Sequence, residues 1–329
     1  MSRLQTPFTQ AVGIEIPLIC GAMYPCSNPE LVAAASEAGG IGIVQPVSLK
    51  FAHGIDVRDG IRQIRSLTDK PIGFNALIEA SSKVYLERMR AWVDIALEED
   101  VRFFVTALGK PGWVVDKVHA VGGVVYHDIT NRKWAEKALD EGVDGLICVN
   151  RRAGGHAGSD SPRALWDDLQ SLGVPLICAG GIGDEQGFVD ALDMGYAGVQ
   201  VGTRFIATTE CSAHQDYKQA IVDAQEDDIV LTERLTGVPV AIIKTPSVER
   251  MGTQAGPLAR LLLKGNRSKH WVRTYFSIRS AFQLKSASKQ GSSYKDYWQA
   301  GKSVGGIQQI EPVADIYKRF KVAALQEST

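Results

Sequence analysis

Cysteine is scarce in this sequence and shows no paired spacing. The chain has five cysteines, and no Cys-x-x-Cys pair occurs among them. An odd number without such pairs argues against a disulfide framework and against a zinc site. Cys20, Cys148 and Cys178 lie inside apolar segments, where a free thiol behaves as a small hydrophobic side chain. We therefore expect a reduced, cytoplasmic protein.

Long apolar runs and an excess of charge are absent as well. No apolar segment approaches the roughly 20 residues that span a bilayer, and residues 1–10 lack the apolar core of a signal peptide. The net charge is −1, so the overall charge points neither to nucleic acid nor to an anionic membrane. The six histidines are scattered without HExxH or HxH spacing, and they predict no metal site. We expect a small molecule as the partner.

Eight short apolar segments alternate with longer amphipathic segments as far as residue 210. Several are apolar throughout, which is typical of parallel strands covered on both faces. Eight such alternations favour a (β/α)8 TIM barrel, an α/β fold, over a doubly wound open sheet, which stays as the alternative. The predicted strands are Pro17–Gly21, Gly40–Val44, Pro71–Leu77, Phe103–Leu108, Gly123–Ile129, Gly145–Asn150, Pro175–Gly180 and Gly198–Gly202.

With 329 residues, the chain is long enough for a barrel with an appendage. We expect residues 1–211 to form the barrel, completed by a C-terminal helix in residues 305–329. Residues 212–304 are expected to form a mostly helical unit that caps the substrate site. Residues 251–290 contain eight Lys or Arg and no Asp or Glu. This basic stretch is either a docking surface for an anionic partner or a solvated helix face.

The seventh and eighth predicted strands both end abruptly in glycine. Gly180 and Gly181 close the seventh strand, and Gly202 and Thr203 follow the eighth. Glycine exposes backbone N–H groups and lets a phosphate approach closely. Many TIM barrels bind phosphate after strands 7 and 8. The sequence therefore predicts a phosphate-bearing cofactor at this place.

One histidine stands just past the end of the sixth predicted strand. His156 is flanked by small residues in the segment Gly154–Gly158, which leave its ring room to meet a ligand. Because histidine titrates near neutrality, it suits proton abstraction from a weak carbon acid. A surface loop histidine without a catalytic role is the alternative.

These segments together resemble the FMN-dependent nitronate monooxygenases, formerly called 2-nitropropane dioxygenases. The resemblance extends over nearly the whole chain, and no single segment would be specific by itself. It is strongest in PLICGAM at residues 17–23, GFN at 73–75, AGGHAG at 153–158, CAGGIGD at 178–184 and VQVGTRF at 199–205.

The resemblance implies that FMN lies across the barrel mouth. Backbone groups of Gly180, Gly181, Gly202 and Thr203 would hold its phosphate, and His156 would remove the α-proton of a nitroalkane or orient the nitronate beside flavin N5. With O2 as co-substrate, the products would be a carbonyl compound and nitrite. The residues implied to contact the rest of the cofactor are Ala22, Met23, Asn75, Asp128, Gly155 and Gln200.

The end of strand 5 departs from this resemblance, because some relatives carry a lysine there, near the flavin pyrimidine. This chain has His127 and Asp128 instead, and a carboxylate at that place disfavours an anionic reduced flavin. Near the C-terminus, Tyr294, Trp298 and Lys302 recur every four residues. That spacing suits a stripe at the substrate pocket or an ordinary packed helix face equally well.

Two other FMN-dependent activities stay open at this point. A flavin-dependent enoyl-ACP reductase also has a glycine-flanked histidine, and the basic stretch at residues 251–290 suits an acidic carrier protein. An NAD(P)H:quinone reductase resembles the chain in the segment Thr209–Cys211. The electron donor, the physiological substrate and a homodimeric assembly are left open by the sequence.

Overall fold

Eight parallel strands form a closed barrel in this computed structural model, which describes residues 2–79, 82–233, 239–254 and 298–326. Each strand pairs with the next along the chain, and β1 pairs with β8 in the register Leu18↔Val199. This closure confirms the predicted TIM barrel and excludes the open sheet. The strands are β1 (Leu18–Cys20), β2 (Ile41–Val44), β3 (Gly73–Leu77), β4 (Phe103–Ala107), β5 (Val124–Ile129), β6 (Gly145–Val149), β7 (Leu176–Ala179) and β8 (Gly198–Val201).

Helices lie between successive strands and cover the barrel. Many begin at a polar residue whose side chain accepts a hydrogen bond from the first turn, which satisfies a backbone N–H that has no partner in the helix. The capping residues are Asp56, Ser82, Asn131, Ser161 and Asp184. The helices in this part are α1 (Pro7–Val12), α2 (Pro29–Glu37), α3 (Val57–Arg65), α4 (Lys83–Glu98), α5 (Gly112–His119), α6 (Arg132–Asp140), α7 (Pro162–Leu169) and α8 (Glu185–Met194).

Large side chains fill the N-terminal half of the barrel interior. Phe8 of α1 closes that end and lies 5.6 Å from the Phe103 ring and 5.5 Å from the Tyr126 ring. At the opposite end the inner positions include the small residues Ala22 and Ala179. Active sites of this fold lie at that end, beside the C-terminal ends of the strands.

The chain after β8 leaves the barrel and returns to it. The described part of this excursion contains α9 (Thr203–Ile206), α10 (Gln215–Asp223), α11 (Pro246–Met251) and an antiparallel pair of strands, β9 (Ile229–Thr232) and β10 (Val240–Ile243). The sequence pattern did not predict this pair, because strands of four residues are too short to show alternation. Residues 255–297, with most of the basic stretch and Tyr294, lie outside the described residues.

The C-terminal helix α12 (Val313–Leu325) packs against α2 and α8. Its Phe320 ring stacks on Phe188 at 5.1 Å, and its Tyr317 ring stacks on Phe205 at 5.6 Å. The wholly buried Arg204, just after β8, forms an ion pair with the buried Glu311, which precedes the helix. The end of the chain is thus tied to the strand that closes the barrel.

No helix within the described ranges is both long and apolar enough to cross a membrane.

Candidate active site

Three polar side chains point into the barrel near the C-terminal ends of its strands. Asn75 lies two residues after Gly73, at which a Cβ atom would meet Ile43 and Phe103 of the interior. Asp128 lies two residues after the inward Tyr126, and Gln200 two residues after Gly198. Since side chains alternate along a strand, all three point inward. Two of the buried oxygens, Asp128 Oδ1 and Gln200 Oε1, have no hydrogen-bond partner among the described residues.

His127 and Asp128 are adjacent in the chain, but their side chains lie in different environments. The His127 Nδ1 atom lies 2.8 Å from the Thr106 hydroxyl, in the layer between strands and helices. Burial there lowers the pKa of His127 to about 4. Burial raises the pKa of Asp128 to about 7, because the charged carboxylate is the form that desolvation disfavours. Of the two residues at the end of β5, only Asp128 faces the mouth.

The glycines after β7 are covered by the loop that follows β6. Gly180 and Gly181 have φ values of +117° and +80°, which disfavour any other residue. A Cβ atom at Gly180 would lie 2.6 Å from the backbone nitrogen of Ala153, and one at Gly181 would overlap the Arg152 side chain. These two glycines are therefore required for close packing of protein against protein. Their contact with a phosphate stays a prediction.

Gly202, after β8, is different. Its φ is −114°, a value open to any residue, and a Cβ atom there would meet only Met23 among the described residues, with the sulfur at 3.4 Å. Met23 is itself held in place, because its backbone N–H donates to Ser27 and its carbonyl accepts from Ser48. The Thr203 hydroxyl accepts from the Gly301 N–H at 3.0 Å and keeps its own proton for another acceptor. Among the described residues, Gly202 is therefore less crowded than Gly180 and Gly181.

A buried asparagine organises the loop that carries the histidine. Asn150 Nδ2 donates to the Gly180 carbonyl at 2.9 Å, and its Oδ1 accepts from the Arg152 N–H at 2.8 Å. Its carbonyl accepts from the Gly158 N–H at 3.3 Å. One side chain thus joins the end of β7 to the start of the loop, and its backbone holds the far side of the loop.

His156 lies on this loop with much of its side chain exposed to solvent. The part of its ring that packs against the protein is desolvated, and this lowers the pKa of His156 below its ordinary value. The preceding carbonyl, of Gly155, accepts from the Ala241 N–H of β10 at 2.8 Å. Gly154 packs against the backbone of Gly301. Because these loop residues are glycines, the chain after β8 can pack directly against the loop. We call these contacts, of Gly155 with Ala241 and of Gly154 with Gly301, the clamp.

The sequence patterns missed Asn150, Arg152 and the segment that clamps the loop. Asn150 is the last residue of the sixth predicted strand and Arg152 lies two residues beyond it, so a polar residue at a strand end was the available signal. Arg152 forms an ion pair with Glu226 at 2.5 Å while its side chain lies against Gly181. The clamp has no local signal, because Ala241 and Gly301 are far from His156 in the chain. Lys302 donates its backbone N–H to Arg152, and Tyr294, the first residue of the proposed stripe, lies outside the described residues.

Within the parts of the chain that the structure describes, no group of three or more His, Cys, Asp or Glu side chains is placed to hold a metal ion. All five cysteines are buried and unpaired.

The chain is similar to known oxidoreductases along almost its whole length. A family model described as nitronate monooxygenase matches residues 5–320. A relative from Rhodococcus jostii, (3aS,4S,5R,7aS)-5-hydroxy-7a-methyl-1-oxo-octahydro-1H-indene-4-carboxyl-CoA dehydrogenase, is 26% identical, with 96% of this chain and 94% of the relative covered. The nitronate monooxygenase of Pseudomonas aeruginosa is 29% identical, with 70% of this chain and 77% of the relative covered. The structure of FabK from Thermotoga maritima superposes with a TM-score of 0.79 at 28% identity, with 97% and 96% of the two chains covered.

Proposed function

The chain belongs to the nitronate monooxygenase family, and we propose that it binds FMN at the C-terminal mouth of the barrel and oxidises alkyl nitronates. Its family and relatives are oxidoreductases, so the chain is an enzyme of that class. The observation that carries the cofactor proposal is the pair of buried oxygens without partners, Asp128 Oδ1 and Gln200 Oε1. A buried polar atom without a partner costs free energy, and a polar ring system over the mouth would supply both partners.

The chemistry of the residues around the mouth supports FMN as the cofactor. Gly202 is less crowded than Gly180 and Gly181, and the Thr203 hydroxyl has a proton to donate, so both suit a phosphate. Gly180 and Gly181 border the same part of the mouth from the end of β7. The residues proposed to contact the rings and the ribityl chain are Ala22, Met23, Asn75, Asp128, Gly155 and Gln200. FMN, when bound, supplies the electron transfer to and from the substrate and the reaction with O2.

His156 is the proposed base. Because its pKa is lowered from 6.5 by partial burial, the ring is neutral at pH 7 and ready to accept a proton. In a nitroalkane the acidic proton is on the carbon beside the nitro group, and its removal yields the nitronate that is oxidised. The clamp at Gly155 and Ala241 keeps the loop in one position, which favours a defined approach to the substrate.

The test compares a neutral nitroalkane with its preformed nitronate. His156→Gln should lower kcat/KM for the nitroalkane by about 100-fold, the contribution of a general base, and that for the nitronate by far less. The matched control is His119→Gln, since His119 is an exposed histidine paired with Asp144 on the barrel surface. Equal losses on both substrates in the His156 variant would exclude the role as base, and absence of nitrite from either substrate would exclude the proposed reaction.

A second candidate reaction acts on a thioester of CoA or of acyl carrier protein. It is favoured by similarity over nearly the whole chain to a carboxyl-CoA dehydrogenase and to FabK. The same holoenzyme, mixed without O2 with NADH, NADPH, a saturated acyl-CoA or an alkyl nitronate in turn, separates the candidates. Bleaching of the flavin by nitronate alone supports the first reaction. Bleaching by a nicotinamide followed by reoxidation with an enoyl thioester supports a reductase, and bleaching by acyl-CoA supports a dehydrogenase.

A further inference from the structure

We infer that Asp128 binds the flavin as a neutral carboxylic acid, donating its own proton in a hydrogen bond to an acceptor atom of the pyrimidine ring. The inference rests on the proposed binding of FMN and concerns the residue at the end of β5. This neutral state of Asp128 differs from the expectation from the sequence, in which Asp128 is an ionised carboxylate beside the flavin.

The position of Asp128 supports this role. The residue points into the barrel from β5, and its Oδ1 is buried without a hydrogen-bond partner among the described residues. Its partner in the strand register is the apolar Ile147 of β6. Because Asp128 lies on the inward face of β5 near its C-terminal end, a ligand in the barrel mouth is the partner that we infer for this oxygen.

The surroundings of Asp128 favour the protonated form. Its neighbour in sequence, His127, faces the other side of the strand and is bonded to Thr106. Cys148 on β6 is a titratable neighbour whose thiol is affected by the carboxylate, and that thiol stays protonated because its own burial raises its pKa. Desolvation raises the pKa of Asp128, and no cation in the described part of the chain lowers it. Burying a carboxylate without a counter-ion costs several kcal/mol, so the group keeps its proton near neutral pH.

Gln200 provides the complementary half of the arrangement. Its Oε1 atom can only accept a hydrogen bond, and it too is buried without a partner in the described part of the chain. The pyrimidine ring of a flavin carries acceptors at N1, O2 and O4 and one donor at N3–H. A donor from Asp128 and an acceptor from Gln200 together match that mixed pattern, whereas two acceptors would compete for the single N3–H.

The protonation state of Asp128 decides whether this residue raises or lowers the midpoint potential of the flavin. Reduction places negative charge on the pyrimidine ring. A neutral donor stabilises that charge and raises the midpoint potential, whereas a carboxylate at the same place would lower it. No proton has to be transferred for this effect, so the hydrogen bond alone carries it.

Three variants separate these possibilities. Asp128→Asn keeps a neutral donor of the same shape, and we expect FMN affinity within about threefold of the original and little change in potential. Asp128→Leu keeps the volume and removes the hydrogen bond, so FMN should bind about 10-fold more weakly and the potential should become more negative. Asp160→Asn is the matched control, because Asp160 is an exposed carboxylate on the loop after β6 and should change neither quantity.

The measurements are fluorescence titration of the apoprotein with FMN and spectroelectrochemical titration of the holoprotein. A more positive potential in both Asp128→Asn and Asp128→Leu would show an ionised carboxylate and overturn the inference. If Asp128→Leu does not fold, Asp128→Ser replaces it. Infrared spectra of the apoprotein near pH 6 should also contain a protonated-carboxyl band that Asp128→Asn lacks. If the original apoprotein does not bind FMN, the proposed function fails; if all variants bind FMN equally well and have equal potentials, only the inference fails.

Discussion

The two sides of the barrel mouth offer a ligand different chemistry. The ends of β7 and β8 present glycine and backbone, through Gly180, Gly181 and Gly202. The ends of β5 and β3 present side chains, Asp128 and Asn75. The backbone side suits a phosphate, which several N–H groups can share, and the side-chain side suits a flat polar ring. In the proposed binding mode, one mouth divides its contacts with FMN between these two types of group.

The backbone side is itself divided. Gly180 and Gly181 are glycines because the loop after β6 packs on them, whereas a Cβ atom at Gly202 would meet only Met23 among the described residues. A substitution at each place therefore has a different consequence, which makes the comparison testable.

The largest effect is expected from a charge at Gly202. Gly202→Asp places a carboxylate beside the expected phosphate, and repulsion between charges about 4 Å apart amounts to several kcal/mol near a protein surface. We expect FMN affinity to fall at least about 100-fold while the apoprotein keeps its melting temperature. Gly202→Ala is the control, because its Cβ fits beside Met23 and its loss should be below about 10-fold. If Gly202→Asp is purified with a full complement of FMN, the FMN phosphate does not bind beside Gly202.

A pH series should separate the two neighbours on β5. The native state holds the Asp128 proton up to about pH 7, whereas the unfolded chain loses it at the reference value of 3.8. The contribution of Asp128 to the unfolding free energy should therefore fall as pH rises from 4 to 7, at up to about 1.4 kcal/mol per pH unit. His127 acts in the opposite direction, because its native pKa is about 4 and its reference value 6.5. Its contribution falls as pH drops from 6.5 to 4.

Denaturant titrations of the apoprotein at several pH values check this prediction. The two contributions oppose each other between pH 4 and 6.5, so together they should leave the unfolding free energy of the original protein nearly constant there. Asp128→Asn should therefore reveal a loss of stability toward pH 4, and His127→Gln should reveal a loss toward pH 7. Identical pH profiles for the original protein and both variants would show that neither group is perturbed by burial.

A smaller effect is expected at Gly181. Gly181→Ala forces a residue with a side chain into positive φ and against Arg152, and the unfolding free energy should fall by about 2 kcal/mol. Gly122→Ala is the matched control, since Gly122 also has positive φ but a Cβ there meets nothing within 4 Å. A difference between the two variants reports the packing on Arg152. Equal losses would show that backbone strain is the whole effect.

The smallest effect concerns the clamp on the histidine loop. The Tyr217 hydroxyl donates to the Gln299 carbonyl, and the Tyr217 ring stacks on Trp298 at 5.7 Å. Tyr217→Phe keeps the stack and removes the hydrogen bond, so the unfolding free energy should fall by about 1 kcal/mol with FMN affinity unchanged. Tyr85→Phe is the control, because the buried Tyr85 hydroxyl has no partner among the described residues. A larger loss in the control than in Tyr217→Phe would contradict the prediction.

The predicted strands agree with the observed ones to within one or two residues at each end. Gly145–Asn150, for example, becomes β6 at Gly145–Val149. Side-chain contacts at the ends of elements are harder to predict. Asn28 stands just before α2, where asparagine commonly caps a helix, but its side chain does not cap the helix and instead donates to the Glu210 carbonyl at 3.0 Å. That partner lies 182 residues away, so no local pattern could indicate it.

Local sequence patterns were sufficient to predict the eight strands, their glycine ends and the histidine after the sixth strand. Apolar strand segments and the conformational freedom of glycine are local properties of a chain. The folded barrel was needed to show that Asp128 faces the mouth while His127 faces the helices, and that Arg152 covers Gly181 while Gly202 contacts only Met23 among the described residues. Those outcomes depend on which distant residues pack against each position, because closure of the barrel, and not the spacing of residues, brings them together.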